Sequence, residues 1–211
     1  MRRKRYSKKK KGRNGKSKSE ESDSDSDSDD DGVQKVINNH IYFWCDVTKK
    51  SCLELITNLN TVFKKYSSLS ECGDYHTPLY IHINSYGGDM DAALAVIDTM
   101  ESLKKKGAHI ITIVEGSASS AATFISVMGS VRRIRPNSYM RIHNFTTILT
   151  GKKNELDDEH RNLSKLEKII TDFYKKNTNM NKRQLDKIMA REIDLLPDEC
   201  LEKGLVDEIQ Q

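Results

Sequence analysis

The stretch GSASSAATFISVMGSVRRIRPNSYMRIH, residues 116–143, combines a tight turn, the start of a helix and a later strand. The apolar residues 110–114 before it have the pattern of a β-strand, and the small residues 116–122 separate that strand from a short apolar helical segment. A second β-type run, residues 139–142, leads into His143. This order predicts a serine at the N-terminus of a helix and a histidine at the end of a strand, which are the parts of a nucleophile–base pair.

Three serines in this turn are candidate nucleophiles on chemistry alone: Ser117, Ser119 and Ser120. Their small neighbours would let a substrate approach a hydroxyl closely. The free N–H groups and the positive dipole end of the following helix would stabilise an oxyanion at the same place. A serine before a helix is also commonly its N-cap, so a purely structural role is the alternative.

Four motifs resemble segments of ClpP, the proteolytic subunit of Clp protease. The family's nucleophile segment is matched by GSASSAATF and its histidine segment by RPNSYMRIHN. Its strand and glycine turn are matched by LYIHINSYGGD, residues 79–89, and its C-terminal segment by PDECLEKGLVDEI, residues 197–209. The resemblance extends over about residues 36–209, in order and with compatible spacing. It implies a serine peptidase with a ClpP/crotonase-like fold.

The resemblance also assigns roles to individual residues. The family motif puts the nucleophile at Ser120 and its base at His143, and the N–H groups of Gly88 and Ala121 would form the oxyanion hole. Ser119 occupies a position where the family usually has alanine, and it is the alternative nucleophile. No metal and no cofactor is implied for this chemistry.

The third member of the triad is where the sequence departs from the family pattern. Counting back from Gly204, the family's aspartate position falls on Glu192. A glutamate can still orient an imidazole and stabilise its charged form, as it does in other Ser-His-Glu triads. Asp194 lies two residues on and, in a strand, would face the same side. We predict Glu192, with Asp194 as the alternative; if neither serves, the site is a dyad or is inactive.

Hydrophobic patterns predict an α/β fold with a mainly parallel sheet. Between residues 36 and 128, β-type runs alternate with amphipathic helical runs at short spacing, which favours right-handed crossovers. The predicted strands are at residues 36–45, 79–83 and 110–114, and further short elements are predicted at residues 182–191, 197–204 and 206–209. Functional turns in such sheets gather at the carboxyl ends of the strands, where the glycine pair and the serine turn both fall.

A long amphipathic helix is predicted from residue 154 or 155 to about residue 176. Its apolar residues recur at helical spacing: Leu156, Leu163, Leu166, Ile170 and Phe173. The pattern alone also fits a helix packed in the core. The resemblance implies instead the family's projecting handle helix, which joins two rings, with residues 146–153 pairing between the rings.

The first 33 residues have the composition of a disordered tail. Residues 1–18 are rich in Lys, Arg, Gly and Ser, and residues 21–32, ESDSDSDSDDDG, form an acidic repeat. Neither part buries enough apolar surface to offset the entropy of ordering. We predict a disordered tail at residues 1–33 and a single ClpP-like peptidase domain at residues 34–211. The basic part is either a nucleic-acid-binding or nuclear-localisation arm, or a solvated charge block.

Composition and charge limit the classes of protein that fit this sequence. The chain has 211 residues, 36% of them hydrophobic, and a formal net charge of +4 to which the predicted domain contributes little. An N-terminus without an apolar segment predicts no signal peptide, and no run reaches the ~20 apolar residues that span a bilayer. The four cysteines lack metal-site spacing, which predicts reduced thiols in a cytosolic-type compartment.

The resemblance implies a serine endopeptidase that is the proteolytic subunit of an ATP-dependent complex. In this family, two stacked rings of seven subunits enclose the sites, and an AAA+ unfoldase delivers polypeptide substrates. Two rival hypotheses come from other classes of protein. One is a catalytically silent structural subunit of such a ring, and the other is a nucleic-acid-binding protein that works through its basic tail.

Overall fold

The computed structural model describes residues 32–69, 77–144 and 150–211. Residues 1–31 lie outside the described residues, so the disorder of the tail stays a prediction. Residues 70–76 also lie outside the described residues. So do residues 145–149, which include the first part of the segment predicted to pair between the rings.

A seven-stranded sheet forms the centre of the fold, with strand order β1-β2-β3-β4-β5-β7 and β6 paired beside the end of β4. The strands are β1 Val33–Ile37, β2 His40–Trp44, β3 Leu79–Ser85, β4 Ile110–Ser119, β5 Val131–Ile134, β6 Tyr139–Arg141 and β7 Glu208–Ile209. The pair β1–β2 is antiparallel, and the other strand pairs are parallel. The prediction of a mainly parallel sheet is confirmed.

Six helices accompany the sheet in the described residues: α1 Lys49–Leu69, α2 Met90–Lys105, α3 Ala121–Val127, α4 Lys153–Asn177, α5 Lys182–Met189 and α6 Pro197–Glu202. The core includes residues of the sheet and of all six helices, and its largest part joins the sheet to the first three helices. Leu55 and Leu59 of α1 and Ile81 and Ile83 of β3 are all fully buried there. Each such side chain contributes about 1.5–3 kcal/mol relative to its exposure to water, so this layer holds the strand ends in place.

The run predicted as one strand at residues 36–45 is a hairpin of two strands. The chain reverses at Asn38, whose φ is 57°, and Ile37 then pairs with His40. Asparagine tolerates this left-handed conformation better than most residues, and two-residue hairpin turns require it. The apolar residues on both sides of the turn concealed the break in the sequence pattern.

Strand β5 was not predicted, because two arginines interrupt its short apolar pattern. Arg132 hydrogen-bonds to Asp207 at 2.5 Å, and Arg133 forms an ion pair with Glu208 of β7. Burial alone would raise the pKa of Asp207, but the hydrogen bonds from Arg132 outweigh it and hold that pKa below its ordinary value. These cross-strand ion pairs let a charged sequence serve as an inner strand.

Helix α4 combines the two alternatives: its C-terminal half packs in the core, and its N-terminal half has no buried residue. Its buried residues are Ile170, Thr171 and Tyr174, all in its C-terminal half. Ile169 is 50% exposed. In the N-terminal half, Leu156 and Leu163 are only partly buried, so this chain leaves apolar side chains there partly uncovered. In the described part of the chain, no helix combines the length and apolarity needed to cross a membrane.

Candidate active site

Ser120 alone forms the turn between β4 and α3. Strand β4 continues beyond its predicted end, through the small residues to Ser119, and α3 begins at Ala121. Ser120 has φ 52° and ψ −125°, a conformation that a residue with a side chain rarely adopts. Although it is in the N-cap position, its side chain makes no capping hydrogen bond. The structural alternative for this hydroxyl therefore does not apply.

The glycine turn after β3 packs directly against this serine. Gly87 has φ 102°, and a Cβ atom there would lie 2.6 Å from the Ser119 carbonyl oxygen and 2.7 Å from Ser120 Cβ. The Ser85 hydroxyl accepts a hydrogen bond from the Gly87 N–H at 3.2 Å. Both the backbone angle and the close approach require glycine at this position.

Two N–H groups beside Ser120 lack a hydrogen-bond partner among the described residues. Val47 bonds to the carbonyl of Gly87 at 2.8 Å and to the N–H of Asp89 at 2.7 Å, so the N–H of Gly88 between them points away from Val47. The N–H of Ala121 belongs to the first helical residue of α3, where no intrahelical acceptor exists. Both groups remain available to bind an anionic oxygen.

Strand β6 runs parallel to β4 and so brings His143 to the end of the sheet where Ser120 lies. The pairs Ser117–Tyr139 and Ser119–Arg141 align the carboxyl ends of the two strands. His143 follows β6 and is half-buried. Ser120 and His143 line one small pocket of about 20 Å³, whose other walls are Met90, Phe124, Ile170 and Tyr174. The fold thus brings two of the predicted site residues together.

The candidates for the third member are placed differently from each other. Glu192 is exposed, and in the described residues no side chain hydrogen-bonds to the His143 ring. Asp194 accepts a hydrogen bond from Arg141 Nε at 2.7 Å. The identity of the third member, like the roles of the other site residues, stays a prediction.

A family model described as Clp protease matches residues 47–211, which is more than half of the chain. The chain belongs to the Clp protease family. The ATP-dependent Clp protease proteolytic subunit of Deinococcus radiodurans is 31% identical to it over 133 residues. The matched region covers 62% of this chain and 64% of that relative, less than two thirds of its length. The predicted family and fold class are confirmed.

Four apolar residues that line this pocket were not predicted from the sequence to belong to the site. They form the rest of the pocket wall: Met90, Phe124, Ile170 and Tyr174. Ile170 and Tyr174 are four residues apart on α4, so they share one face of that helix. That spacing was visible in the sequence, but only the packing of α4 against α3 shows that this face borders Ser120.

A second group of polar residues lies on the sheet outside this pocket. His82 is 5% exposed, with its Nε2 2.8 Å from His40 Nδ1 and its Nδ1 3.0 Å from Glu115 Oε1. Burial and the neighbouring His82 lower the pKa of His40, which Glu115 partly offsets. No cluster of His, Cys, Asp or Glu suited to a metal ion occurs in the described ranges.

Proposed function

We propose that this protein is a serine endopeptidase and the proteolytic subunit of an ATP-dependent Clp-type complex. One observation carries the proposal: Ser120 and His143 line the same pocket, beside the N–H groups of Gly88 and Ala121, which have no partner among the described residues. An uncapped serine hydroxyl on a strained strand-to-helix turn is the arrangement that exposes a nucleophile. Membership of the Clp protease family supports the same chemistry.

The proposed reaction is acyl transfer to serine. His143 removes the hydroxyl proton of Ser120 as its oxygen attacks the peptide carbonyl carbon. The N–H groups of Gly88 and Ala121 donate to the oxyanion that forms, and His143 then protonates the leaving amine. A water molecule, deprotonated by His143, attacks the acyl-enzyme and releases the acid.

Strand register supports Glu192 as the residue that orients His143. Met140 and Leu195 form an antiparallel bridge with two backbone hydrogen bonds, at 2.7 and 3.0 Å. In an antiparallel pair, each step forward along one strand is a step backward along the other. Continued from this bridge, one step would bring Arg141 opposite Asp194, a pair that does bond, and three steps would bring His143 opposite Glu192. Asp194 is thus engaged by Arg141, whereas the Glu192 carboxylate has no hydrogen bond or ion pair with any described residue.

Assembly and partners are part of the same proposal. The partly exposed apolar side chains of α4 are typical of a surface that another subunit covers. We propose that the assembly is two stacked rings of seven copies. An AAA+ unfoldase would supply unfolded polypeptides. A reducing compartment is supported by three unpaired, buried cysteines, Cys45, Cys52 and Cys200. The silent-subunit alternative is disfavoured because both the serine and the histidine are retained and share a pocket.

Labelling with a fluorophosphonate tests the proposal, because this probe reacts with activated serines. We expect the folded protein to be labelled, and mass spectrometry of the digested product to map the modification to Ser120. Hydrolysis of a fluorogenic peptide, measured in parallel, should be lost on full labelling. A folded, assembled protein that neither reacts nor hydrolyses peptides would overturn the catalytic proposal and favour the silent subunit.

A further inference from the structure

A chain of two hydrogen bonds connects helix α4 to the backbone of Ser120. The hydroxyl oxygen of Tyr174 on α4 is 2.5 Å from Thr123 Oγ1. Thr123 Oγ1 in turn donates to the carbonyl oxygen of Ser120, also at 2.5 Å. A threonine hydroxyl has one proton and a carbonyl can only accept. Tyr174 is therefore the donor to Thr123, and the chain runs in one direction from Tyr174 to Ser120.

The two hydroxyl groups of this pair of hydrogen bonds are buried away from water. Thr123 is 0% exposed and Tyr174 is 1% exposed. The Tyr174 ring packs against Phe124, with ring centroids 5.0 Å apart, and against Phe173 at 5.5 Å. Burial raises the pKa of the Tyr174 hydroxyl, more than the bond to Thr123 lowers it, so the hydroxyl stays protonated. Neither hydroxyl can exchange its partner for solvent without disturbing the packing.

The backbone of Ser120 needs such support because its φ is positive. Residues in this conformation persist where their surroundings hold them on several sides. The Ser120 N–H is held by the Arg141 carbonyl at 2.8 Å. Among the described residues, only Thr123 bonds to the Ser120 carbonyl, through its N–H at 3.0 Å and its hydroxyl. A rotation of this carbonyl would carry the attached N–H of Ala121 with it.

We infer that Tyr174, acting through Thr123, is a positioning residue that holds the Ser120 turn in its reactive conformation. The inference rests on the proposed function and adds to it a residue that does not contact the reacting atoms. Tyr174 lies 51 positions along the chain from Thr123, in the C-terminal half of α4. The packing of α4 against α3 therefore sets the geometry of the nucleophile.

Four substitutions distinguish a positioning role of Tyr174 from a role in packing alone. Tyr174→Phe removes one hydroxyl and keeps the aromatic ring, and Thr123→Val removes the other hydroxyl and keeps the side-chain shape. Thr123→Ser retains the hydroxyl as a rescue variant. Ser126→Ala is the matched control, since it deletes a buried hydroxyl of the same helix that has no partner in the described structure.

The rate of fluorophosphonate labelling and the kcat and KM for a fluorogenic peptide are measured for each variant. We expect Tyr174→Phe to lower the labelling rate and kcat about three- to tenfold, the range of one hydrogen bond, with KM within about twofold. Thr123→Val should lower them at least as much, and Tyr174→Phe should add nothing in the Thr123→Val background. Thr123→Ser and Ser126→Ala should stay within about twofold of the wild type.

Results that would overturn the positioning role differ from those that would overturn the proposed function. A labelled wild type with an unchanged rate in Tyr174→Phe would overturn the positioning role and leave the proposed function standing. A loss of labelling that is matched in Ser126→Ala, or that follows the fraction unfolded by circular dichroism, would assign Tyr174 to packing alone. A folded wild type that does not react at all would overturn the proposed function, and the positioning role with it.

Discussion

The backbone N–H of Ser120 donates to the carbonyl oxygen of Arg141 across 2.8 Å. This bond extends the β4–β6 ladder by one residue beyond the last paired strand residues, Ser119 and Arg141. It ties the turn that carries the serine to the strand that leads into His143. Because the two parts come from separate segments of the chain, the relative position of the two side chains depends on this strand pairing.

We expect Ser120→Ala to abolish fluorophosphonate labelling and peptide hydrolysis without changing the fold. The Ser120 hydroxyl makes no capping bond, so its removal leaves the helix intact. Ser119→Ala is the paired variant, since Ser119 is the alternative nucleophile and is 6% exposed. Labelling should persist in Ser119→Ala. Loss of labelling in Ser119→Ala with retention in Ser120→Ala would show that our motif register is wrong by one residue.

Gly87→Ala should inactivate the site. The added Cβ would collide with the Ser119 carbonyl and Ser120 Cβ, and would lie 3.1 Å from the Ala121 nitrogen. Gly107→Ala is a close control, because Gly107 has a similar φ of 93° but, its chain neighbours aside, no heavy atom of the described residues lies within 4 Å of such a Cβ. The left-handed backbone should destabilise both variants by about 1 kcal/mol or more in urea unfolding.

The two glycine variants should then differ in their labelling rates. Gly87→Ala should lose at least about tenfold in rate, and Gly107→Ala should label normally once the folded fraction is taken into account. Equal labelling rates would show that the close approach of the glycine turn to Ser120 is not needed for reactivity.

Glu192→Gln should reduce kcat by about 10²- to 10⁴-fold if Glu192 fixes the tautomer of His143 and stabilises its charged form. Asp194→Asn should have a far smaller effect, since Asp194 bonds to Arg141 at a partly exposed position. The measurement is peptide hydrolysis at saturating substrate, with assembly checked by sedimentation. The reverse order would transfer the role to Asp194. If both variants keep full activity, the site works as a dyad.

Analytical ultracentrifugation should find a ring assembly, which we expect to contain fourteen copies. Leu163→Lys, in the N-terminal half of α4, should lower the sedimenting mass, because a charge would be buried at the ring contact. Asn162→Lys alters the adjacent, exposed position and should leave the mass unchanged. A stable monomer at micromolar concentration in the wild type would contradict the ring model.

Local patterns predicted the parts of the molecule whose chemistry is local. The strand–turn–helix order around Ser120, the helical spacing on α4 and the glycine turn all depend on neighbouring residues, so the printed sequence contains them. The same reasoning missed β5, whose arginines are neutralised by Asp207 and by Glu208 of β7, 75 positions away. It also missed the hairpin at Asn38, because apolar residues continue on both sides of the turn.

The sequence by itself determined the family, the α/β class and the candidate pair Ser120 and His143, since those follow from motifs and periodicity. Only the tertiary structure decided what surrounds that pair. The pocket wall from α4, the hydrogen-bond chain from Tyr174 and the bridge between Met140 and Leu195 all join residues far apart in the chain. Such contacts arise when packed elements bury apolar surface together, and a one-dimensional pattern contains no record of which faces meet.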